Sequence, residues 1–357
     1  MRLRDKMRKV MAEVEALKKA AAEERVTISA ESIARLAQVP HDPRLAQLDP
    51  QYTPPGPISA DEPGPGRDLS EQDLSHRDLS GMDLRGANLA GAVLTGANLR
   101  GANLSGARLS RAIFYKADLS GADLTRADLT QANMAAVRAK EADLSGAKLD
   151  IAFFEGADLT GAKLEDARGE YVVLTKAKLA GFRAARAVLD RSHFSESDLT
   201  DADLSSASLV SCWFEKCRAP RLDLTDAFIR NARFPEAILE GAKLVRARGY
   251  KCLFGQANLD GADLTFATLP SSHFIEASAV GARFHGANLR ECRFHRATLE
   301  RAEITRANLF GASLTKARLG GASFREASLY AADFTGAGGA GCDLVGANLK
   351  RSTLEDA

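Results

Sequence analysis

Large apolar residues recur at every fifth position along most of the chain. The five-residue period runs from Leu69 to Leu354 without insertion or deletion, through 58 pentapeptides. The large apolar position is Leu or Phe in 48 of them. We call this position the centre; the position two before it is Ala in 41. A period of five fits neither the α-helix, with about 3.6 residues per turn, nor the β-strand, with 2. Internal repetition therefore governs the fold.

Each pentapeptide reads as a short strand followed by a turn. Two apolar positions flank one polar residue, as in Ala122-Asp123-Leu124, so both apolar side chains point to the same side. All three prolines of the repeats directly follow a centre, and 20 of the 26 glycines lie two after one. Pro at the second residue and Gly at the third, where φ is positive, are typical of a type II turn.

The phenylalanines indicate how many pentapeptides close one coil. Eleven centres are Phe, and nine of them differ in number by multiples of twenty: Phe114, Phe154, Phe194, Phe214, Phe234, Phe254, Phe274, Phe294 and Phe334. They form one stack if four pentapeptides make a coil, and we call the side that carries them the Phe face. The pattern thus predicts an all-β solenoid of about 14.5 square coils, about 70 Å long at a strand spacing of about 4.8 Å.

These residues also resemble a known family. The segments "ADLSGADLTRADLTQANM" and "ANLRGANLSGARL" are similar to the A(D/N)LXX motif of pentapeptide-repeat proteins, and the resemblance covers residues 67 to 357. It implies a right-handed quadrilateral β-helix. Because solenoids are scaffolds for unrelated binding sites, the resemblance implies a fold more strongly than a function.

The first 66 residues follow other patterns. Residues 1 to 39 predict a short α-helical segment, with a second short helix over 32 to 39. Residues 40 to 66 hold eight of the eleven prolines and predict a linker before the repeat domain, 67 to 357. No segment has the apolar length of a membrane span or a signal-peptide core, so we expect a cytoplasmic protein. The helix seam alternates steps of four and three: Leu3, Met7, Val10, Val14 and Leu17.

The two ends of the repeat domain differ in their inward residues. Arg67, Gln72, Arg77 and Met82 replace Ala in the first coil, which predicts an amino-terminal lid. The last residues, "KRSTLEDA", show no such change. We therefore expect the last coil to expose its Leu column and strand edges, which a partner or a second copy of the chain could cover.

Residues that could support catalysis or bind metal are dispersed. The cysteines occupy small inward positions, which favours packing over a redox or metal role. His193 and His273 share a column but lie four coils apart, too far to ligate one metal. No phosphate loop, nucleophile elbow or zinc spacing is present, so we predict no enzyme, no cofactor and no metal site. The five cysteines are Cys212, Cys217, Cys252, Cys292 and Cys342.

Glycine replaces the large residue at two centres, which are eighty residues apart and on the same side of the coil. They lie in "KLEDARGEYVVL" and "KLVRARGYKCLF", as Gly169 and Gly249. Loss of a large residue thins the core locally. Two interpretations stay open, a dented groove for a ligand or relief of strain in the coil.

A column of apolar residues on the outer side of the Phe face is the strongest functional signal. The residue before a centre should be solvated, yet six of fifteen are apolar on this face, and the only Trp is among its members. Exposed apolar groups with Trp and Arg are typical of binding hot spots. We predict partner binding by this Phe-face stripe; alternatively the amino-terminal helix folds over it, or its side chains only pack beside the Phe stack. The stripe comprises Ile113, Phe153, Val173, His193, Trp213, Arg233, Leu253, His273 and Arg293.

Charge discriminates between partner classes. Residues 67 to 357 carry 38 Lys and Arg against 37 Asp and Glu. Some proteins of the resembled family mimic duplex DNA and bind type II topoisomerases such as gyrase. Such mimicry needs a strongly negative rod, and the nearly neutral repeat domain is a poor mimic of a polyanion. Direct nucleic-acid binding is disfavoured because the basic stretch from Arg290 to Arg306 is spread over several faces.

We therefore predict a non-catalytic scaffold or adaptor that binds protein. The proline linker followed by "RDLSEQDLSHRDLSGMDLRGANL" also resembles repeat segments of proteins associated with bacterial type VI secretion. That resemblance implies a secreted effector or a spike component as the partner. The alternative prediction is a DNA-mimicking modulator of gyrase or another type II topoisomerase.

Overall fold

A computed structural model describes residues 64–357, and within them the backbone repeats one unit throughout. Each strand is reduced to an isolated parallel bridge, formed by the residue before a centre. The bridges join residues twenty apart, at every fifth residue from Asp68–Asn88 to Asp333–Thr353. No helix occurs between residues 64 and 357. This part of the chain is a right-handed quadrilateral β-helix, whereas the predicted helices, their seam from Leu3 to Leu17 and most of the linker lie outside the described residues.

The hydrogen bonds explain why Asp or Asn precedes so many centres. In the pentapeptide 123–127, three N–H groups donate to carbonyls of neighbouring coils at 2.7 to 2.9 Å, and the N–H of Ala127 closes the turn onto the carbonyl of Leu124 at 3.0 Å. The fifth N–H, that of Thr125, donates to Oδ1 of Asp123 at 2.9 Å. The Asp123 side chain thus accepts a hydrogen bond from the one backbone N–H that has no carbonyl partner.

The positive φ that the predicted turn requires occurs at every corner of the described chain. Every residue two after a centre has a positive φ, from Glu71 to Asp356, and 38 of these residues are not glycine. Positive φ is uncommon for such residues and unusual for a β-branched one such as Ile151, with φ of 57°. Stacking of the coils therefore imposes the turn even where the sequence does not favour it. The first such turn spans Gly64 to Arg67, closed by a 3.2 Å hydrogen bond.

The predicted stack of phenylalanines is present. From Phe194 to Phe294 consecutive rings on the Phe face lie 4.6 to 4.9 Å apart between centroids, with planes within 4° to 7°. All of these rings are buried. Such aromatic pairs contribute about 0.5–1.5 kcal/mol each beyond area burial. The spacing equals that of paired strands, so the rings fix the register of one coil on the next.

Two departures from the repeat are compensated inside the same strand. Ala184 occupies a centre, but Phe182 stands at the small position beside it, and both are fully buried. Val137 and Ala139 show the same exchange. Because large and small residues swap places, these two strands keep a large apolar side chain in the core.

Residues at inward positions or centres are accessible at both ends of the described range, as expected for the last coil, whereas the amino-terminal lid stays a prediction. Arg67 and Gln72 are exposed and Met82 is half-buried. At the other end Leu344 and Leu354 are 38% and 53% exposed. An apolar cavity of about 260 Å³ opens among the side chains of the last coils.

Candidate partner-binding site

The structure places the predicted stripe in one column. Parallel bridges connect residues 113, 133, 153, 173 and 193 in sequence, and continue through 213, 233, 253, 273 and 293. Residues separated by twenty in sequence therefore become neighbours on one surface. The faces follow one another in chain order, and we number those after the Phe face as face 2, face 3 and face 4, with bridge residues 98, 103 and 108 in one coil.

The expectation that the whole stripe is exposed is wrong for its first half. Ile113, Phe153, Val173 and His193 are buried, with 3% to 9% of their surface accessible. Bulky side chains at the spacing of paired strands contact one another along the column, so each removes surface of the next from water. The second half is accessible: Trp213, Arg233, Leu253 and His273 are half-buried, and Arg293 is exposed.

His193 marks the boundary between the two halves. Its ring stacks on Trp213 with centroids 5.6 Å apart and planes 13° apart. Its Nε2 is buried without a hydrogen-bond partner within the described chain. Burial lowers the pKa of His193 to about 4, so the ring is neutral at physiological pH and packs as an aromatic group.

Trp213 and Arg233 form the centre of the accessible half. The guanidinium of Arg233 lies 4.2 Å from the centroid of the Trp213 ring. Trp213 is thus held between an imidazole on one side and a cation on the other, which fixes its orientation. A preoriented, half-exposed Trp beside Arg has the composition and rigidity of an interface anchor.

The glycines at 169 and 249 do not form a ligand groove. A Cβ at Gly169 would fall 2.7 Å from the backbone carbonyl carbon of Leu149, and one at Gly249 would fall 2.5 Å from Sγ of Cys252. Neighbouring atoms therefore already fill the space. Glycine is required here because another part of the chain comes close to the backbone.

Each coil with a glycine centre, which we call a glycine coil, donates a backbone hydrogen bond to a serine of the next coil. The N–H of Val172, which follows Gly169, donates to Oγ of Ser192 at 3.0 Å. The N–H of Cys252, which follows Gly249, donates to Oγ of Ser272 at 3.1 Å. At regular turns this N–H closes the turn onto the centre carbonyl instead. Ser192 and Ser272 are fully buried, so each replaces Ala where a backbone donor needs an acceptor.

We expect Ser192→Ala to lower the free energy of unfolding by about 1–3 kcal/mol, although Ala is the usual residue at this position. The substitution leaves the N–H of Val172 buried without an acceptor. Urea denaturation followed by circular dichroism measures the change. Ser197→Ala is the control, because the Ser197 hydroxyl only donates, to the carbonyl of Phe194. Equal losses for both substitutions would contradict this account of Ser192.

The cysteines occupy the inward positions predicted for them. Cys212, Cys217, Cys252 and Cys292 are buried, Cys342 is half-buried, and all five are free thiols. The Sγ atoms of Cys212 and Cys252 each donate to a carbonyl at 2.9 Å. Burial raises the pKa of Cys252 and Cys292 to about 12, which makes their thiols unreactive.

Neither a metal cluster nor a membrane span is found between residues 64 and 357. No group of three or more His, Cys, Asp or Glu side chains in that range could hold a metal ion. In the same range, no helix has the length and apolar character needed to cross a membrane.

A ladder of stacked aromatic rings and basic groups, not predicted from the sequence, lies at one corner of the coils. Phe310 and Tyr330 stack with centroids 5.5 Å apart, Arg290 lies 4.9 Å from the Phe310 centroid, and Arg351 lies 5.6 Å from that of Tyr330. The twenty-residue period, applied to turn residues as well as to strand residues, would have revealed it. The ladder lies where face 4 turns into the Phe face, beside the accessible half of the stripe.

Comparison with known protein families gives a match over most of the repeat. The family model "Pentapeptide repeats" matches in eight copies, within residues 68–131, 140–168, 171–218 and 257–337. The match points to a structural or interaction protein and indicates no catalytic family. A comparison with curated proteins found no match.

Solved structures similar to this chain include two pentapeptide repeat proteins and a fluoroquinolone resistance protein. A pentapeptide repeat protein from the thylakoid lumen of Arabidopsis thaliana is 39% identical, covering 28% of this chain and 68% of that one, with a TM-score of 0.27. HetL from Nostoc sp. strain PCC 7120, involved in heterocyst differentiation regulation, is 29% identical, with coverages of 72% and 89% and a TM-score of 0.19. QnrB1, a plasmid-mediated fluoroquinolone resistance protein, is 21% identical, with coverages of 50% and 79% and a TM-score of 0.26.

Proposed function

The chain belongs to the pentapeptide-repeat family, and on that premise we propose that it is a non-catalytic scaffold which holds a protein partner along the Phe-face stripe. The observation that carries the proposal is the fixed Trp213, stacked on His193 and capped by Arg233 while still half-exposed. Such an anchor loses little conformational freedom when a partner covers it. The accessible half of the stripe, from Trp213 to Arg293, supplies the contact.

The finer features of the proposal come from the sequence. We propose a rod of about 14.5 coils that acts in the bacterial cytoplasm as an adaptor. Its partner is a secreted effector or a spike component of type VI secretion. The resemblance of the segment after the proline linker supports this assignment. Gyrase modulation by DNA mimicry fits less well, because the neutral rod offers no polyanionic surface.

Trp213→Glu is expected to reduce partner capture by the full-length protein about tenfold or more, because it replaces the anchoring aromatic ring at the centre of the contact with a charged side chain. Affinity capture from the native host with quantitative mass spectrometry measures the loss. Ile238→Glu is the matched control, since Ile238 is an apolar bridge residue on face 2 with 39% exposure. Circular dichroism and melting temperature should stay unchanged in both variants.

Two results would remove the proposal. If capture survives Trp213→Glu combined with Leu253→Glu, the stripe is not the partner site. If the protein inhibits DNA supercoiling by gyrase at low concentration, the topoisomerase alternative replaces the adaptor function.

A further inference from the structure

We propose that the corner where face 4 turns into the Phe face docks an acidic polypeptide segment. We call this surface, within residues 228 to 353, the basic edge; it includes the accessible stripe residues from Arg233 to Arg293. The inference deepens the proposed function by giving the partner's chemistry, and it rests on that function. Apart from the contact of Arg233 with Trp213, its evidence does not involve Trp213, because it lies in the distribution and pairing of charges.

Positive charge is concentrated on the basic edge although the rod as a whole is neutral. Only Glu291 and Asp333 among the bridge and turn residues of this edge are acidic. The diagonally opposite corner, between faces 2 and 3, carries six acidic and four basic residues over the same coils. The neutral net charge therefore hides opposite charges on opposite sides of the rod. The basic residues of the edge are Arg230, Arg233, Arg248, Lys251, Arg290, Arg293, Lys350 and Arg351.

These eight cations lack acidic partners within residues 64–357. Elsewhere on the rod, arginines at turns pair with aspartates one coil earlier, as Arg186 does with Asp166 at 2.7 Å and Arg246 with Asp226 at 2.6 Å. None of the eight takes part in an ion pair of the described chain. Seven are exposed and Arg233 is half-buried. An incoming carboxylate would not have to displace an internal one.

Aromatic rings hold five of these cations in place. Besides the contacts of Arg233, Arg290 and Arg351 already described, Arg248 lies 5.4 Å from the centroid of Phe228 and Lys251 lies 5.1 Å from that of Tyr250. A cation over a ring face keeps its outer hydrogen-bond donors free while its position is restricted. The edge thus presents preoriented donors, which lowers the entropic cost of binding.

The geometry favours an acidic polypeptide over a nucleic acid. Single-stranded nucleic acids bind to free aromatic faces on which bases stack. Here Phe310 and Tyr330 cover one another, and Arg290 and Arg351 lie over their rings. Guanidinium groups with half-exposed apolar neighbours such as Leu253 suit carboxylates that alternate with apolar side chains. From Arg230 to Lys350 the edge spans six coils, about 29 Å, the length of about nine extended residues.

The test uses the full-length protein and fluorescein-labelled probes in anisotropy titrations. The main probe is a peptide of about twelve residues built from Glu-Phe-Glu-Gly repeats, long enough for the edge. A Gln-Phe-Gln-Gly peptide and an oligothymidine are the comparison probes. The edge variant combines Arg248→Gln, Arg290→Gln and Arg351→Gln, none of which is a stripe residue, and the control variant combines Arg186→Gln, Arg221→Gln and Arg246→Gln. Both variants lose three positive charges, but the control arginines are paired with aspartates.

We expect the edge variant to weaken binding of the acidic peptide about tenfold, and the control variant to change it less than about twofold. Equal weakening by both variants would show binding to net charge only and overturn the inference. Equal binding of the glutamine peptide, or tighter binding of oligothymidine, would also overturn it. A partner captured by the edge variant but lost with Trp213→Glu would refute the basic edge and leave the proposed function intact. Loss of that partner from the edge variant but not from Trp213→Glu would refute the stripe instead.

Discussion

Phe234→Ala is expected to lower the free energy of unfolding by about 3–5 kcal/mol, the range for a fully buried Phe. Its ring is stacked between Phe214 at 4.6 Å and Phe254 at 4.9 Å. Removal leaves a cavity that continuous backbone ladders above and below prevent from collapsing. Chemical denaturation monitored by circular dichroism measures the loss.

Phe234→Leu separates stacking from volume. Leucine is the usual residue at a centre and keeps most of the apolar bulk, so only the two ring contacts are lost, about 1–3 kcal/mol. A cost for Phe234→Ala below that for Phe234→Leu would show that the ring is not packed as described.

Gly169→Leu is expected to destabilise the protein by about 3 kcal/mol or more, even though it restores the most frequent residue of the repeat. The new Cβ would lie 2.7 Å from the carbonyl carbon and 2.8 Å from Cβ of Leu149. Because one of these atoms belongs to the backbone, relief requires a shift of the whole coil. The melting temperature and the urea midpoint of the variant measure the effect.

Met134→Leu is the matched control for Gly169→Leu. Both substitutions introduce the consensus residue at a buried centre, but Met134 already fills its place. A volume-conserving exchange of this kind costs less than about 1.5 kcal/mol. If Gly169→Leu proved as harmless as the control, the close approach at Gly169 would be wrong and the groove interpretation would return.

The period of the sequence predicted most of the fold because the contacts of a solenoid are fixed by spacing alone. Once Phe194, Phe214 and Phe234 were seen to be twenty apart, the number of sides and the members of each column followed. The positive φ two after each centre followed from the positions of glycine and proline. Side-chain exposure did not follow, because it depends on the sizes of neighbours in the column, as the burial of Val173 and His193 shows.

Contacts between coils where the sequence departs from the repeat could not be predicted from the repeat pattern. The link from Val172 to Ser192 joins a glycine coil to a serine in the next coil, and a repeat consensus treats each position separately. The basic edge was missed because its residues belong to two faces and the turn between them. Arg290 and Arg351 are far apart in sequence, whereas the coiling of the chain brings them to the same corner.

The central claim is that residues twenty apart are neighbours, so that dispersed positions form one binding surface. Continuous-wave electron paramagnetic resonance tests it with nitroxide pairs at cysteines introduced in a Cys342→Ala background. Thr268 and Asn288 are bridged on face 4, whereas Ser278 lies on face 2. Strong dipolar broadening is predicted for labels at 268 and 288 and none for labels at 268 and 278. Equal broadening in both pairs, or broadening only in the second, would contradict the four-sided coil and the surfaces assigned to it.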